Sequence, residues 1–348
     1  MKTSDQLIID KITQELEIDC IHLNRGRDGH LFKNRLDILA RPSQRDFPEQ
    51  VRPVIDAIMK PYPDVGYSVF ATNYARKEAQ EGNLYFLNNC NRNSIVYKNG
   101  GDNSPIILPD MEPTKLYETA RREFKRNMAR MKSFRKGASY FRELGNLPQS
   151  AFMLHQTFEQ GYRILERFIC GRTKICHSIK NHQGYVLKML DKFGGTFQME
   201  SDMDSKLLDL LEDAYSSARY THSYTITKNE LEQLSQKLSF FTKDIKTLFH
   251  RELSIFKRNI DNGIFNHKEE LDLVTPNAHR TKAEPYVRRL EFDNSFEMLC
   301  KARSLLLLGV TCLQEDVEPP LHVNGFDYNI VEVLQLAIEL LPLKETSP

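Results

Sequence analysis

The chain has 348 residues, 27% charged and 40% hydrophobic, a soluble globular composition long enough for a sizeable core and two or three domains. Its 48 Lys and Arg stand against 47 Asp and Glu, so the net charge of +1 excludes a global field toward nucleic acid or membrane, and a charged partner must be met by a local patch. Residues 1–19 carry no apolar signal-peptide core, the longest apolar run (Ser304–Leu313) is about half a membrane span, and six cysteines without an export signal predict a reduced, cytoplasmic protein with no membrane partner.

In chain order, residues 1–100 read as a small α/β domain. Leu7, Ile8, Ile12 and Leu16 recur at helical spacing over 4–17, with Ser4 as N-cap. Strands are predicted at 19–23, 36–40, 66–71, 83–88 and 94–98, and helices at 48–60 and 73–81, which together suggest a mixed sheet. Prolines and glycines then break regular structure, so 101–113 is predicted as a linker and domain boundary. Residues 114–260 read as all-helical. A long helix over 115–143 carries the stripe Tyr117, Ala120, Phe124, Met128, Met131, Phe134, Ala138 and Phe141. Further helices are predicted at 149–170, 178–192, 202–218 and from Thr227 toward Asn259, the last opened by the capping box Thr227-x-x-Glu230. Short connections predict an up-and-down bundle. The extension 261–348 is polar and irregular, then carries two apolar helices near 294–313 and 327–342.

Several patterns carry candidate chemistry. Between Lys115 and Arg142, ten Lys and Arg stand against Glu118 and Glu123, a charge of +8 in 28 residues. The apolar stripe forces Arg122, Lys125, Arg126, Arg130 and their neighbours outward along one rod, a footprint for phosphates. The same charges also fit a solvated face, or pairing with Asp202, Asp204, Asp209, Glu212 and Asp213. A second basic stretch holds Arg25, Arg27, Lys33, Arg35, Arg41 and Arg45 against Asp28 and Asp37, around the loop RGRDG; it fits a phosphate cradle or an exposed connection. His155 and Glu159 share a helix face and read first as a polar pair of the bundle. Cys170, Cys176, His177 and His182 match no common zinc spacing, so no metal site is predicted. The stretch Arg219-Tyr220-Thr221-His222-Ser223-Tyr224 offers an Arg and a His that could meet a phosphodiester, or an Arg that caps a helix end.

Residues 114–260 resemble the HEPN domain, a helical domain of prokaryotic nucleotidyltransferase-associated proteins. The resemblance rests on SAFMLHQTFEQGYRIL (150–165), TKICHSIKNH (173–182) and LLDLLEDAYSSARYTHSYTITKNELEQL (207–234). It implies a nucleotidyltransferase-like fold over 1–100. That fold usually carries a Gly-Ser turn after its first strand, two acids one residue apart on the second strand, and a third acid on a later strand, which together hold two metals. Here the first strand ends Leu23-Asn24-Arg25, Arg35 stands where the first acid is expected, Asp37 is the lone carboxylate, and 66–71 holds no acid. The resemblance therefore implies a degenerate, non-transferring relative. The nuclease form of the bundle uses an Arg followed four to six residues later by a His; from Arg219 that window holds Tyr224, Thr225 and Ile226, and His222 falls too early.

The resulting expectation is an α+β, multi-domain, non-enzymatic protein that binds a nucleotide, with or without Mg²⁺, or RNA. Its contacts would be Arg219, Tyr220, Tyr224, Arg122, Lys125, Arg126 and Arg130, and it would form a homodimer. Two alternatives stand beside it. One is a ribonuclease toxin with a shifted Arg219/His222 site. The other is a scaffold that docks a partner through the two C-terminal apolar helices.

Overall fold

A computed structural model describes residues 3–26, 30–41, 51–100, 112–190, 193, 197–198, 200–216 and 224–265. All of them belong to one compact unit, Met1–Asp272; of the predicted linker, residues 101–111 lie outside the described residues. The predicted helices at 294–313 and 327–342 lie outside the described residues.

The unit begins with α1 (Thr3–Glu15), β1 (Ile18–Arg25), β2 (Asn34–Ala40), α2 (Val51–Met59), β3 (Val65–Ala71), α3 (Thr72–Gln80), α4 (Leu84–Asn89) and β4 (Ile95–Lys98). The strands form one mixed sheet in the order β3-β2-β1-β4. β1 pairs antiparallel with β2 and β4, while β2 and β3, joined through α2, are parallel. Alternation along the strands sends Ile18, Ile21, Leu36, Ile38, Ala40 and Val69 to one face, where they pack on α1 and α2 through Ile8, Ile9, Ile12, Val51, Ile55 and Met59. Cys20, Leu39 and Phe70 point the other way and join the core of the helical half.

The segment 83–88, predicted as a fifth strand, is the helix α4. Leu84, Tyr85, Phe86 and Leu87 are all buried, and a continuous apolar run carries no period that separates a buried strand from a buried helix. Asn83 decides it, its side chain accepting from the Tyr85 N–H at 3.1 Å as an N-cap.

The helical half consists of α5 (Pro113–Glu143), α6 (Leu147–Leu165), α7 (Ile179–Leu187), α8 (Asp202–Ser216) and α9 (Lys228–Asp261). α5 is about 46 Å long at 1.5 Å per residue and lies along α6, which also touches α7, α8 and α9. α6 stops earlier than its predicted end; Glu166–Cys170 widen into a π-helical turn closed by Gly171 at φ +80°. Any Cβ there would sit 2.6 Å from the Tyr85 ring and 2.9 Å from Phe70, so this corner packs onto the sheet only with glycine. The capping box at Thr227 and Glu230 forms as the spacing predicts.

Candidate ligand site beside the central strands

The sheet face turned toward the helices carries a row of polar side chains. β-sheet register sets His22 opposite Asp37, Asn24 opposite Arg35, and Ser68 on β3 opposite Asp37. Arg35, Asp37 and Ser68 thus come together on this face. They hold one carboxylate, and it is fully buried. Asp37 accepts a hydrogen bond from Asn24 Nδ2 at 2.8 Å and another from the Tyr85 hydroxyl, and Arg35 Nε lies 3.3 Å from its Oδ1. The Arg35 guanidinium also donates to Ser68 Oγ, to the Tyr85 hydroxyl oxygen, and to Met189 Sδ of the helical half at 2.9 Å.

Burial opposes the Arg35 charge, but Tyr85 and Asp37 beside it prevail and move its pKa up; burial raises the Tyr85 phenol well above its usual value. The network is therefore a buried internal ion pair in which Asp37 accepts from Asn24 and Tyr85, while Arg35 Nε is left without a hydrogen-bond partner. The space above Asn24, Arg35 and Tyr85 is about 20 Å³, room for about one water. His22 is equally enclosed. Its Nδ1 meets Ser94 Oγ at 2.9 Å, and burial lowers its pKa to about 4, so it is neutral.

A larger opening lies on the other side of Arg35, along β3 and between α2 and α7. This cleft has a volume of about 430 Å³. Arg35, Arg52, Lys60, Arg172 and Lys188 line it against a single acid, Asp56. Asp56 already accepts from the Tyr67 hydroxyl at 2.6 Å, and burial followed by that bond pushes the Tyr67 phenol up to about 12. No carboxylate among the described residues pairs with Arg52, Lys60 or Lys188. Phe32, Tyr67, Tyr185 and Met189 supply apolar and aromatic wall. The cleft thus combines excess positive charge with flat apolar surface, the chemistry that receives a ring bearing phosphate groups.

The second candidate cluster lies in the bundle. His155 and Glu159 are both buried, with His155 Nδ1 4.0 Å from Glu159. Glu159 also meets Arg163 at 2.8 Å and His177 Nδ1 at 3.3 Å; burial works to raise its pKa, but these partners hold it below its usual value. Burial lowers His155 to a pKa of about 4, and its ring lies 5.0 Å from that of Tyr215. Glu166 bonds His182 Nδ1 at 2.7 Å, and the other ring nitrogen of His182 meets the Cys176 carbonyl at 3.0 Å. These pairs tie α6, α7 and the segment between them together. Among the described residues no group of three or more His, Cys, Asp or Glu is placed to hold a metal ion.

The other predicted contact residues divide. Arg122, Lys125, Arg126 and Arg130 are exposed on α5, as the apolar stripe predicts. Arg126 pairs with Glu123 at 2.6 Å and Arg122 leans on Thr119. Tyr224 is buried, its hydroxyl donating to the Leu210 carbonyl at 2.9 Å, so it packs instead of facing a ligand. Arg219, Tyr220 and His222 lie outside the described residues, as do 27–29 of the RGRDG loop. Of the cations of the cleft, Arg35 belongs to the basic stretch singled out in the sequence; Arg52, Lys60, Arg172 and Lys188 escaped it because they come from α2 and its end, the segment after α6 and the end of α7, and no spacing in the chain links them. Among the described residues no helix is long and apolar enough to cross a membrane. The chain matches no protein-family model and no curated protein.

Proposed function

We propose that this protein binds a nucleotide without transferring it: a nucleotidyltransferase-like sheet that keeps a phosphate-receiving cleft and lacks the metal-holding acids, joined to an HEPN-like bundle. One observation carries the reading. The basic cleft of about 430 Å³ opens directly beside Arg35, while the neighbouring carboxylate, Asp37, is sealed by Asn24, Arg35 and Tyr85. The positive charge of the cleft comes from its own side chains, Arg52, Lys60, Arg172 and Lys188, so the expected binding does not depend on Mg²⁺.

A thermal-shift panel tests this with ATP, GTP, CTP and UTP, each with Mg²⁺ and with EDTA. A ligand at a hundredfold excess over Kd adds about 2.7 kcal/mol, or roughly 5–10 °C in Tm for a unit of this size. The shift should survive EDTA and vanish in Lys188→Glu and Arg52→Glu. No shift with any nucleotide overturns the reading, and Mg²⁺-dependent nucleotide transfer lost in Asp37→Ala overturns its non-catalytic part.

A further inference from the structure

A second basic feature lies away from the cleft, on the outer side of the bundle. α5 and α9 run antiparallel there, as two contacts show: Arg135 donates to Ser239 Oγ at 3.0 Å, and Arg142 pairs with Glu232 at 3.0 Å. Between these two bridges is a crevice of about 190 Å³, lined by Arg135, Arg142, Ser139, Ser235 and Gln236, with Glu232 as its one acid. Glu232 is already neutralised by Arg142. Lys132 and Lys136 on α5 and Lys243 on α9 flank the crevice, all exposed. Toward the start of α5 the exposed cations continue through Arg130, Arg126, Lys125, Arg122 and Arg121.

The aromatic side chains add the second observation. Among the described residues two Phe or Tyr side chains are exposed, Phe240 at 66% and Tyr140 at 57%. Phe240 lies beside this place, one helical turn from Gln236, whereas Tyr140 turns to the other side of α5 and packs edge-on against Phe141 at 5.5 Å. A ring left in water beside a polar, cationic notch gains nothing for the fold, and the apolar area is too small for a protein interface. It fits a ligand that offers an anion and flat rings in alternation.

We infer that this crevice is a binding site for single-stranded nucleic acid, with a backbone phosphate between Arg135 and Arg142 and a neighbouring base stacked on Phe240. The basic row of α5 carries the following phosphates. A duplex is not the ligand, because its bases are stacked within the helix and cannot reach the Phe240 ring. The site shares no residue with the nucleotide cleft, so either can fail while the other stands.

The test is fluorescence anisotropy on the full chain with labelled 12-nucleotide RNA and DNA single strands and the matching duplexes. Single strands of at least one sugar type should bind more tightly than their duplex. Binding should weaken with salt at about −0.7 in log–log slope for each phosphate neutralised. Phe240→Ala should weaken single-strand binding about tenfold, the effect of losing one stacked base, and Phe240→Leu, which keeps the apolar bulk, should not restore it. Arg135→Ala should weaken binding and lower the salt slope by about one phosphate's share. Circular dichroism confirms that each variant folds. Absence of binding at 50 mM salt, equal affinity for duplex and single strand, or wild-type affinity in Phe240→Ala and Arg135→Ala would each overturn the inference. Nucleotide-induced thermal shifts in these variants should match the wild type, which keeps the two sites separable.

Discussion

Replacing Asp37 by Ala removes the anion at the centre of the β1–β2–β3 network. The Arg35 side chain is then left 11% exposed, with its charge facing Tyr85, Ser68 and Met189, none of which can neutralise it. Breaking a buried pair by removing one partner costs about 3–5 kcal/mol, because the remaining charge stays desolvated. Asn24 and the Tyr85 hydroxyl lose their acceptor as well, which places the expected loss toward the upper end. For a unit of this size the loss corresponds to a Tm roughly 10 °C lower. The chain has no Trp, so the transition is followed by circular dichroism at 222 nm. The double variant Arg35→Met/Asp37→Leu should lose less than the sum of Arg35→Met and Asp37→Leu, since no unpaired charge remains. If Asp37→Ala melts within about 2 °C of the wild type, Asp37 does not hold the fold, and the argument that it is sealed against chemistry fails.

Other expectations follow from the same contacts. His22 and His155 are buried and neutral with pKa values of about 4, below the ordinary 6.5, so the unfolded chain binds protons that the folded one refuses. Stability is therefore full above about pH 6.5 and falls as pH drops toward 4, by about 2–3 kcal/mol from each histidine at pH 4.5; a Tm that stays flat from pH 7 to 4.5 would contradict this. Thr227→Ala removes the acceptor for the Glu230 N–H at the start of α9 and should cost about 1 kcal/mol in urea unfolding. Gly171→Ala forces a side chain into the left-handed region against Tyr85 and Phe70 and should cost about 2 kcal/mol or more; a neutral result in the same assay would mean the corner can shift.

Each proposed site combines cations already paired with a carboxylate, Arg35 with Asp37 and Arg142 with Glu232, with others such as Arg52, Lys188 and Arg135 for which no carboxylate partner is found among the described residues. Exposed pairs such as Arg121–Glu118 and Arg126–Glu123 are worth little and can open for a ligand. Arg167 is different: it spans from the helical half to Glu78 of α3, to Glu81 just past its end and to Glu123 of α5, so it ties elements together instead of waiting for an anion.

The helices were legible in the chain because their signals are local. The apolar stripe of α5 names its buried Ala120, Met131 and Ala138 and leaves Arg122, Lys125, Arg126 and Arg130 outside, and Thr227-x-x-Glu230 marks where α9 starts. Strands β1 to β4 announced themselves by branched and aromatic runs between turns, as did the absence of an acid at position 35. α4 did not, because a run buried on every side has no period, and one Asn cap decided its form. Tertiary structure alone settled the fate of Asp37, since its partners come from 13 residues away in Asn24 and 48 away in Tyr85. It alone gathered Arg52, Lys60, Arg172 and Lys188 around one cleft, and Arg135, Ser239 and Gln236 around another. Periodicity fixes which face of an element is buried; what that face meets depends on how distant elements pack, and no local pattern encodes it.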